Sequence, residues 1–327
     1  MTEELIRDAL AKQADRAPHG DPIRYALAAE RPSSRRGLVV GVVAALVVTL
    51  ALVATSLLAP STTAPVAGFA QRELAGLPMR YDAGWLPDGY AETSRTSSYG
   101  HLQTRTWTSG PATISLMVQV GGRNPVWTGD LADAPPADRV SVHGSPGAFE
   151  RTDDPDRVLL SWLPKPDVRL GLLFTAVPGA RSFAQRVAES VHESEDVLTP
   201  QFDLGLAPER VEVTVGGSSP ATATTTVSDS GIGGNWKELD AVIAPAPSDL
   251  PGGYEVPVRG LRGTFVPFQP ETGAALSVPL GDGRWLVLRT PPAQYGVQGP
   301  AWESALVEVA EKIVLNSAVD FSWVGAR

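Results

Sequence analysis

The chain has 327 residues, a net charge of −9 and no cysteine, which excludes disulfide staples, thiolate metal sites and a lipid-modified N-terminal Cys. Residues 1–36 carry seven basic and six acidic groups, so everything beyond them is more acidic than the whole, at −10. That balance repels phosphate backbones and excludes nucleic acid as a partner.

The chain opens on a predicted short helix from Thr2 to Ala17, stopped by Pro18. Ile6, Leu10, Ala14 and Ala17 fall at helical spacing, and Glu3–Arg7 and Asp8–Lys12 form i,i+4 pairs. The stripe is thin and Ala-rich, which leaves two readings open: a docking helix for a cytoplasmic regulatory partner, or a marginal helix on a tail.

Leu38 to Ala59 follows as one uncharged run of mostly Leu, Val and Ala. As a helix it spans about 30 Å, the hydrocarbon thickness of a bilayer. Arg31, Arg35 and Arg36 precede it and the next basic residue is Arg72, so the N-terminus is expected inside and the C-terminal part outside the cell membrane. Ser56-Leu57-Leu58-Ala59 offers small residues at cleavage distance, but the basic head is too long for a signal peptide. An uncleaved, single-pass signal-anchor is the expectation. Pro60 to Pro65 then reads as an extended stalk.

Beyond the stalk, alternation marks strands at Ala112–Val120, Arg157–Leu163, Val168–Val177, Val211–Val215 and Trp285–Arg289. The period switches to a helix at Ser182–Val191, with Phe183, Val187 and Val191 in register. A second helix opens at Pro300–Ala301 and places Trp302, Leu306, Val309 and Ile313 on one stripe.

Three landmarks recur in the same order. Tyr81-Asp82-x-Gly84-x-x-Pro87-Asp88 matches Phe202-Asp203-x-Gly205-x-x-Pro208-Glu209, offset by 121. Val140-x-Val142-His143-Gly144-x-x-Gly147-x-Phe149 matches Val256-x-Val258-Arg259-Gly260-x-x-Gly263-x-Phe265, offset by 116. Val187-Ala188-Glu189-Ser190-Val191 matches Val309-Ala310-Glu311-Lys312-Ile313, offset by 122. The exterior therefore reads as a duplicated unit of about 120 residues. The middle landmark is a hairpin signature: alternating β-branched residues, glycines for the turn, and Phe re-entering the core. By the same duplication the Thr-rich tract Ala221–Val227 becomes a Thr-rich edge strand. The expected fold is α+β: two tandem copies of an antiparallel sheet, each closed by one C-terminal helix, preceded by a single transmembrane helix. The divisions are a head (1–36), a transmembrane helix (37–59), a stalk (60–75) and two exterior repeats (76–199 and 200–327).

The opening Trp85-Leu86-Pro87-Asp88-Gly89-Tyr90, the Val-x-Val-x-Gly-x-x-Gly-x-Phe hairpin, Leu160-Ser161-Trp162 and the closing Val-Ala-Glu-x-Val helix carry a resemblance. They resemble actinobacterial single-pass membrane proteins with exported domains of unknown function, some of which lie beside extracytoplasmic-function sigma factors. The Leu-Pro-x-Gly-Tyr opening is similar to the C-terminal domain of MucB/RseB-type modulators of anti-sigma factors. The second copy departs there, with Ala207-Pro208-Glu209-Arg210. The resemblance implies an envelope location and a link to envelope stress or sigma-factor regulation, but no site residue.

Chemistry is thin in the pattern. His101, His143 and His192 form no metal-ligand spacing, and His143 faces Arg259 in the second copy, as a solvent-facing strand residue would. Asp153-Asp154-Pro155-Asp156 reads as a turn before it reads as a weak calcium site, and Gly281-Asp282-Gly283 as a hairpin turn. Trp162, Trp285 and Trp302 fall on inward faces as core, with an aromatic ligand platform as the alternative. No catalytic, cofactor-binding or metal-binding residue is assigned, and no cofactor. The expectation is a non-enzymatic membrane protein whose duplicated exterior binds an envelope ligand or protein partner. The alternatives are an enzyme acting on wall or lipid substrates and a structural envelope component.

Overall fold

The alternation in Ala112–Val120 becomes a strand over those same residues, with Ile114, Leu116 and Val118 facing the core. The computed structural model describes residues 69–121, 131–205, 211–229, 239–292 and 302–326. Three short strands come first, β1 (Ala70–Arg72), β2 (Leu77–Pro78) and β3 (Tyr81–Ala83). The first half continues with β4 (Ala91–Ser98), β5 (Leu102–Ser109), β6 (Ala112–Val120), β7 (Arg139–Val142), β8 (Ser145–Glu150), β9 (Arg157–Lys165) and β10 (Val168–Thr175). Helix α1 (Ala180–Ser190) and β11 (Val191–Glu193) close it, and β12 (Val197–Leu198) leads onward. The second half holds β13 (Phe202–Asp203), β14 (Val211–Gly216), β15 (Thr224–Asp229), β16 (Leu239–Ala244), β17 (Tyr254–Val258), β18 (Leu261–Gln269), β19 (Gly273–Pro279) and β20 (Trp285–Arg289). It ends with α2 (Trp302–Lys312) and β21 (Val314–Asn316).

The α+β expectation of two separate sheets is corrected here. Fourteen of the 21 described strands form one continuous antiparallel sheet, ordered β17-β18-β19-β20-β16-β15-β14-β4-β5-β6-β10-β9-β8-β7, and the short strands form three small sheets, β1-β21-β13, β11-β3 and β12-β2. Among the described residues only two α-helices accompany it, so the architecture is mostly β. The seam is the pairing of β14 with β4, from Glu212↔Ser98 to Gly216↔Ser94. On either side of it the strands follow the same order, so the first strand of each half abuts the other at the centre. No helix among the described residues is long and apolar enough to cross a membrane. The expected head, the expected span at Leu38–Ala59 and the stalk through residue 68 lie outside the described residues.

Each half has its own core on the face that its helix covers. In the first, Ala180, Ala184, Val187 and Ala188 of α1 lie against Leu160, Trp162, Leu172 and Phe174. The alanines let the helix approach the sheet closely, and each large side chain so buried contributes about 1.5–3 kcal/mol. In the second, Trp302, Leu306 and Ala310 of α2 pack on Leu276, Leu286 and Leu288.

The recurring hairpin is now physically explained. His143-Gly144 and Arg259-Gly260 are the two central residues of β7–β8 and β17–β18 turns, all four with positive φ (50°, 80°, 48° and 75°), as a type I′ turn requires. His143 is thus a turn residue, not the strand-face residue expected. The later glycines serve close approach: a Cβ on Gly147 would lie 2.9 Å from the Ser161 carbonyl oxygen, and one on Gly263 3.1 Å from that of Ser277. The Thr-rich tract is likewise corrected: β15 lies between β14 and β16 in the interior of the sheet, with Thr225 fully buried and bonded to Gln201.

Both ends of the described chain cross to the opposite half. β1 pairs in parallel with β21, and Phe69 lies under Arg259, whose guanidinium caps α2 through the carbonyls of Ala310, Glu311 and Ile313. After β21 the chain returns to β4, where Gly325 donates to the Glu92 carbonyl (2.7 Å) and Glu92 to that of Ala326 (2.8 Å).

Candidate functional site

The two halves differ most at the first strand pair. In the second half, β14 and β15 set Val213 opposite Val227, both in the core. At the corresponding place β4 and β5 set Arg95 opposite Arg105, and both are buried. Like charges directly opposed on adjacent strands are destabilising unless compensated.

Three carboxylates supply the compensation. Glu92 takes both Nε (2.8 Å) and Nη2 (2.9 Å) of Arg95 in a bidentate pair and accepts from Arg105 Nη1 at 3.3 Å. Asp196 accepts from Arg105 Nη2 at 2.7 Å and stands 3.5 Å from Arg95 Nη2. Asp82 lies 3.6 Å from Arg105 Nη1. Arg95 also donates to the Val197 carbonyl, so the arginines pin the connector between the halves onto the sheet. The hydrogen bonding, unlike the charge, is left incomplete, because Arg105 Nε is buried without a partner.

Above this network opens a cleft of about 300 Å³. Its walls are the segment Asp82–Leu86, Glu92 and Arg95 of β4, Trp107 of β5, and Trp323 and Ala326 of the returning tail. Trp323 stacks on the Arg95 guanidinium at 4.3 Å. The Trp85 wall is held from α1: its backbone N–H bonds Ser190 Oγ at 2.9 Å, and Arg186 covers one face of its ring at 3.9 Å.

Burial works against the Asp196 carboxylate, yet the hydrogen bond from Arg105 and the charges of Arg105 and Arg95 outweigh it and hold its pKa below the ordinary value. A depressed carboxyl pKa stabilises the fold above the unfolded value of about 3.9, and that stabilisation is lost as pH falls through the folded value. Asp196→Asn is therefore expected to flatten the pH dependence of the urea midpoint below about pH 4. An unchanged acid limb would count against this role.

No protein-family model matches the sequence, and no curated protein sequence matches it either. Among solved structures the chain is similar to MucB in complex with MucA(peri), at 13% identity over 70% of this chain and 94% of that one, with a TM-score of 0.18. It is similar also to the Pseudomonas aeruginosa MucA/MucB complex, at 15% identity over the same shares, with a TM-score of 0.17. Likeness at this level is weak, and no function is drawn from it.

The residues weighed in the sequence lie apart from the cleft. His101 is in the β4–β5 connection, bonded to the Tyr99 carbonyl, His143 is in its turn, and exposed His192 is on β11. Asp154 and Asp156 form the expected turn, Asp154 Oδ1 accepting from the Asp156 N–H, and Asp282 does the same for Arg284. Trp162 and Trp302 are core, whereas Trp285 is only half-buried. Among the described residues no three His, Asp or Glu side chains are grouped as metal ligands. No motif in the sequence marks Glu92, Arg95 or Arg105, although laying β5 over β15 sets Arg105 where the second half has Val227.

Proposed function

We propose that this chain is a binding and sensing protein held on the outer face of the cell membrane by its apolar run, with the cleft at β4 and β5 as its ligand site. The observation that carries this reading is the exchange of the Val213–Val227 pair for buried Arg95 and Arg105 directly beneath the cleft. A sheet needing only to fold would keep the valines, since burying charge costs stability and groups so buried concentrate at sites that do something. The envelope location rests on the Leu38–Ala59 run and the arginines before it. Residues 1–36 then form a head available to a cytoplasmic regulator such as a sigma factor.

The absence of cysteine makes the location directly testable. Val319→Cys, at an exposed position, is expected to react with a membrane-impermeant maleimide on intact cells, while Ser33→Cys in the head stays unlabelled until lysis. The reverse pattern overturns the orientation. For signalling, the full-length chain is expected to co-purify with a sigma factor through residues 1–36, and no such association under envelope stress sinks that part.

A further inference from the structure

Resting on the reading of the cleft as a ligand site, we infer that it takes a small organic ammonium group of head-group size. Exposure decides the sign of the charge a ligand meets. Arg95 in the cleft lining is 7% exposed and Glu92 10%, whereas Asp82 in the same lining is 31% exposed. Of the charged side chains in the cleft lining, a solute approaching from water meets Asp82 first, with Glu92 and Arg95 less exposed behind it. The three charged side chains in the cleft lining, Asp82, Glu92 and Arg95, sum to −1. The surrounding part of the chain is acidic as well, which raises the local concentration of cations.

The walls fit the same ligand. Trp85, Trp107 and Trp323 converge on the cleft with Asp82, and indole faces attract cations within about 6 Å, most strongly alkylated ammonium groups that shed water easily. Trp85 and Trp323 each already carry a guanidinium on one face, from Arg186 and Arg95, so a ligand cation is left Trp107 and the faces these arginines do not cover. The walls are held before any ligand arrives: Ser190 fixes the backbone of Trp85, and the Glu92 backbone fixes the tail carrying Trp323. A cleft of about 300 Å³ admits a head group, not a folded partner.

The test is a titration of the full chain in a maltoside detergent, read by tryptophan emission. Choline is expected to give a saturable change, and its uncharged carbon isostere 3,3-dimethylbutanol to bind at least tenfold more weakly. Glycerophosphocholine distinguishes a lipid head group from free choline as the source: equal or tighter binding supports the lipid, weaker binding the free ammonium. Asp82→Asn, checked for an unchanged circular dichroism spectrum, is expected to weaken choline at least tenfold. If the neutral isostere binds as well as choline, the cleft remains a ligand site and the ammonium inference fails. If choline gives no saturable change, the inference fails, while the location and head experiments still judge the broader reading.

Discussion

Replacing Glu92 with alanine is expected to destabilise the protein by about 3–5 kcal/mol, the usual cost of removing one partner from a buried ion pair. The loss leaves Arg95 and Arg105 opposed across β4 and β5 with no buried carboxylate between them. Asp196 keeps its bond to Arg105, but it and Asp82 sit nearer solvent, and Arg95 loses its bidentate partner. The triple variant Glu92→Leu, Arg95→Val, Arg105→Val copies the Val213–Val227 pair and is expected to recover most of that stability. Urea midpoints compare the two, and a triple variant less stable than Glu92→Ala would overturn this account of the network. Such recovery would also separate folding from binding, because the triple variant keeps the fold and loses the charges beneath the cleft.

The second large effect is expected at Gly147. Valine there would push a Cβ to 2.9 Å from the Ser161 carbonyl oxygen and 3.0 Å from Trp162 Cβ, and its methyl groups have no room in the β8–β9 contact. Overpacking of this kind costs about 1–3 kcal/mol, and the backbone oxygen cannot step aside, so a loss of about 3 kcal/mol is expected. Gly263→Ala, at the counterpart, adds no methyl groups beyond a Cβ that would lie 3.1 Å from the Ser277 carbonyl oxygen, with Val258 Cγ2 and Leu276 Cδ1 at 3.3 and 3.4 Å, and is expected to cost less. Thermal unfolding of the two variants checks the order, and equal losses would mean that the sheet relaxes at both sites alike.

What was legible in the sequence follows where one face of an element is apolar. β6, β10 and both helices announce themselves because Ile114, Leu172, Val187 and Leu306 recur at the period of the element they build. The duplicated hairpin is legible because only certain residues tolerate two consecutive positive φ angles. The seam is not legible, for a stated reason. β4 reads Ala-Glu-Thr-Ser-Arg-Thr-Ser-Ser, with no apolar alternation, since its inward face holds Glu92 and Arg95 in place of aliphatic side chains. β15 is masked similarly by threonines, of which Thr225 is satisfied by a glutamine from the connector. Polar strands at the centre look like polar strands at an edge, so two sheets were expected where there is one. The same substitution that hid the seam hid the candidate site.

The crossing of the chain ends gives the molecule a mechanical character. Tension arriving from the N-terminal side enters at Phe69 and β1, which pair with β21 at the far end of the chain, not with the strands that follow. This segment is held by three exposed residues in a parallel pair, one exposed Arg72–Asp203 ion pair, buried Leu74 with its N–H on Asn316 Oδ1, and a phenylalanine beneath Arg259. The segment from Phe69 to Leu77 has a contour length of roughly 30 Å at about 3.3–3.6 Å per residue, and no part of it belongs to the 14-stranded sheet. A pull on this segment therefore bears first on β21 and Arg259 of the second half, not on the strands that follow it in the chain.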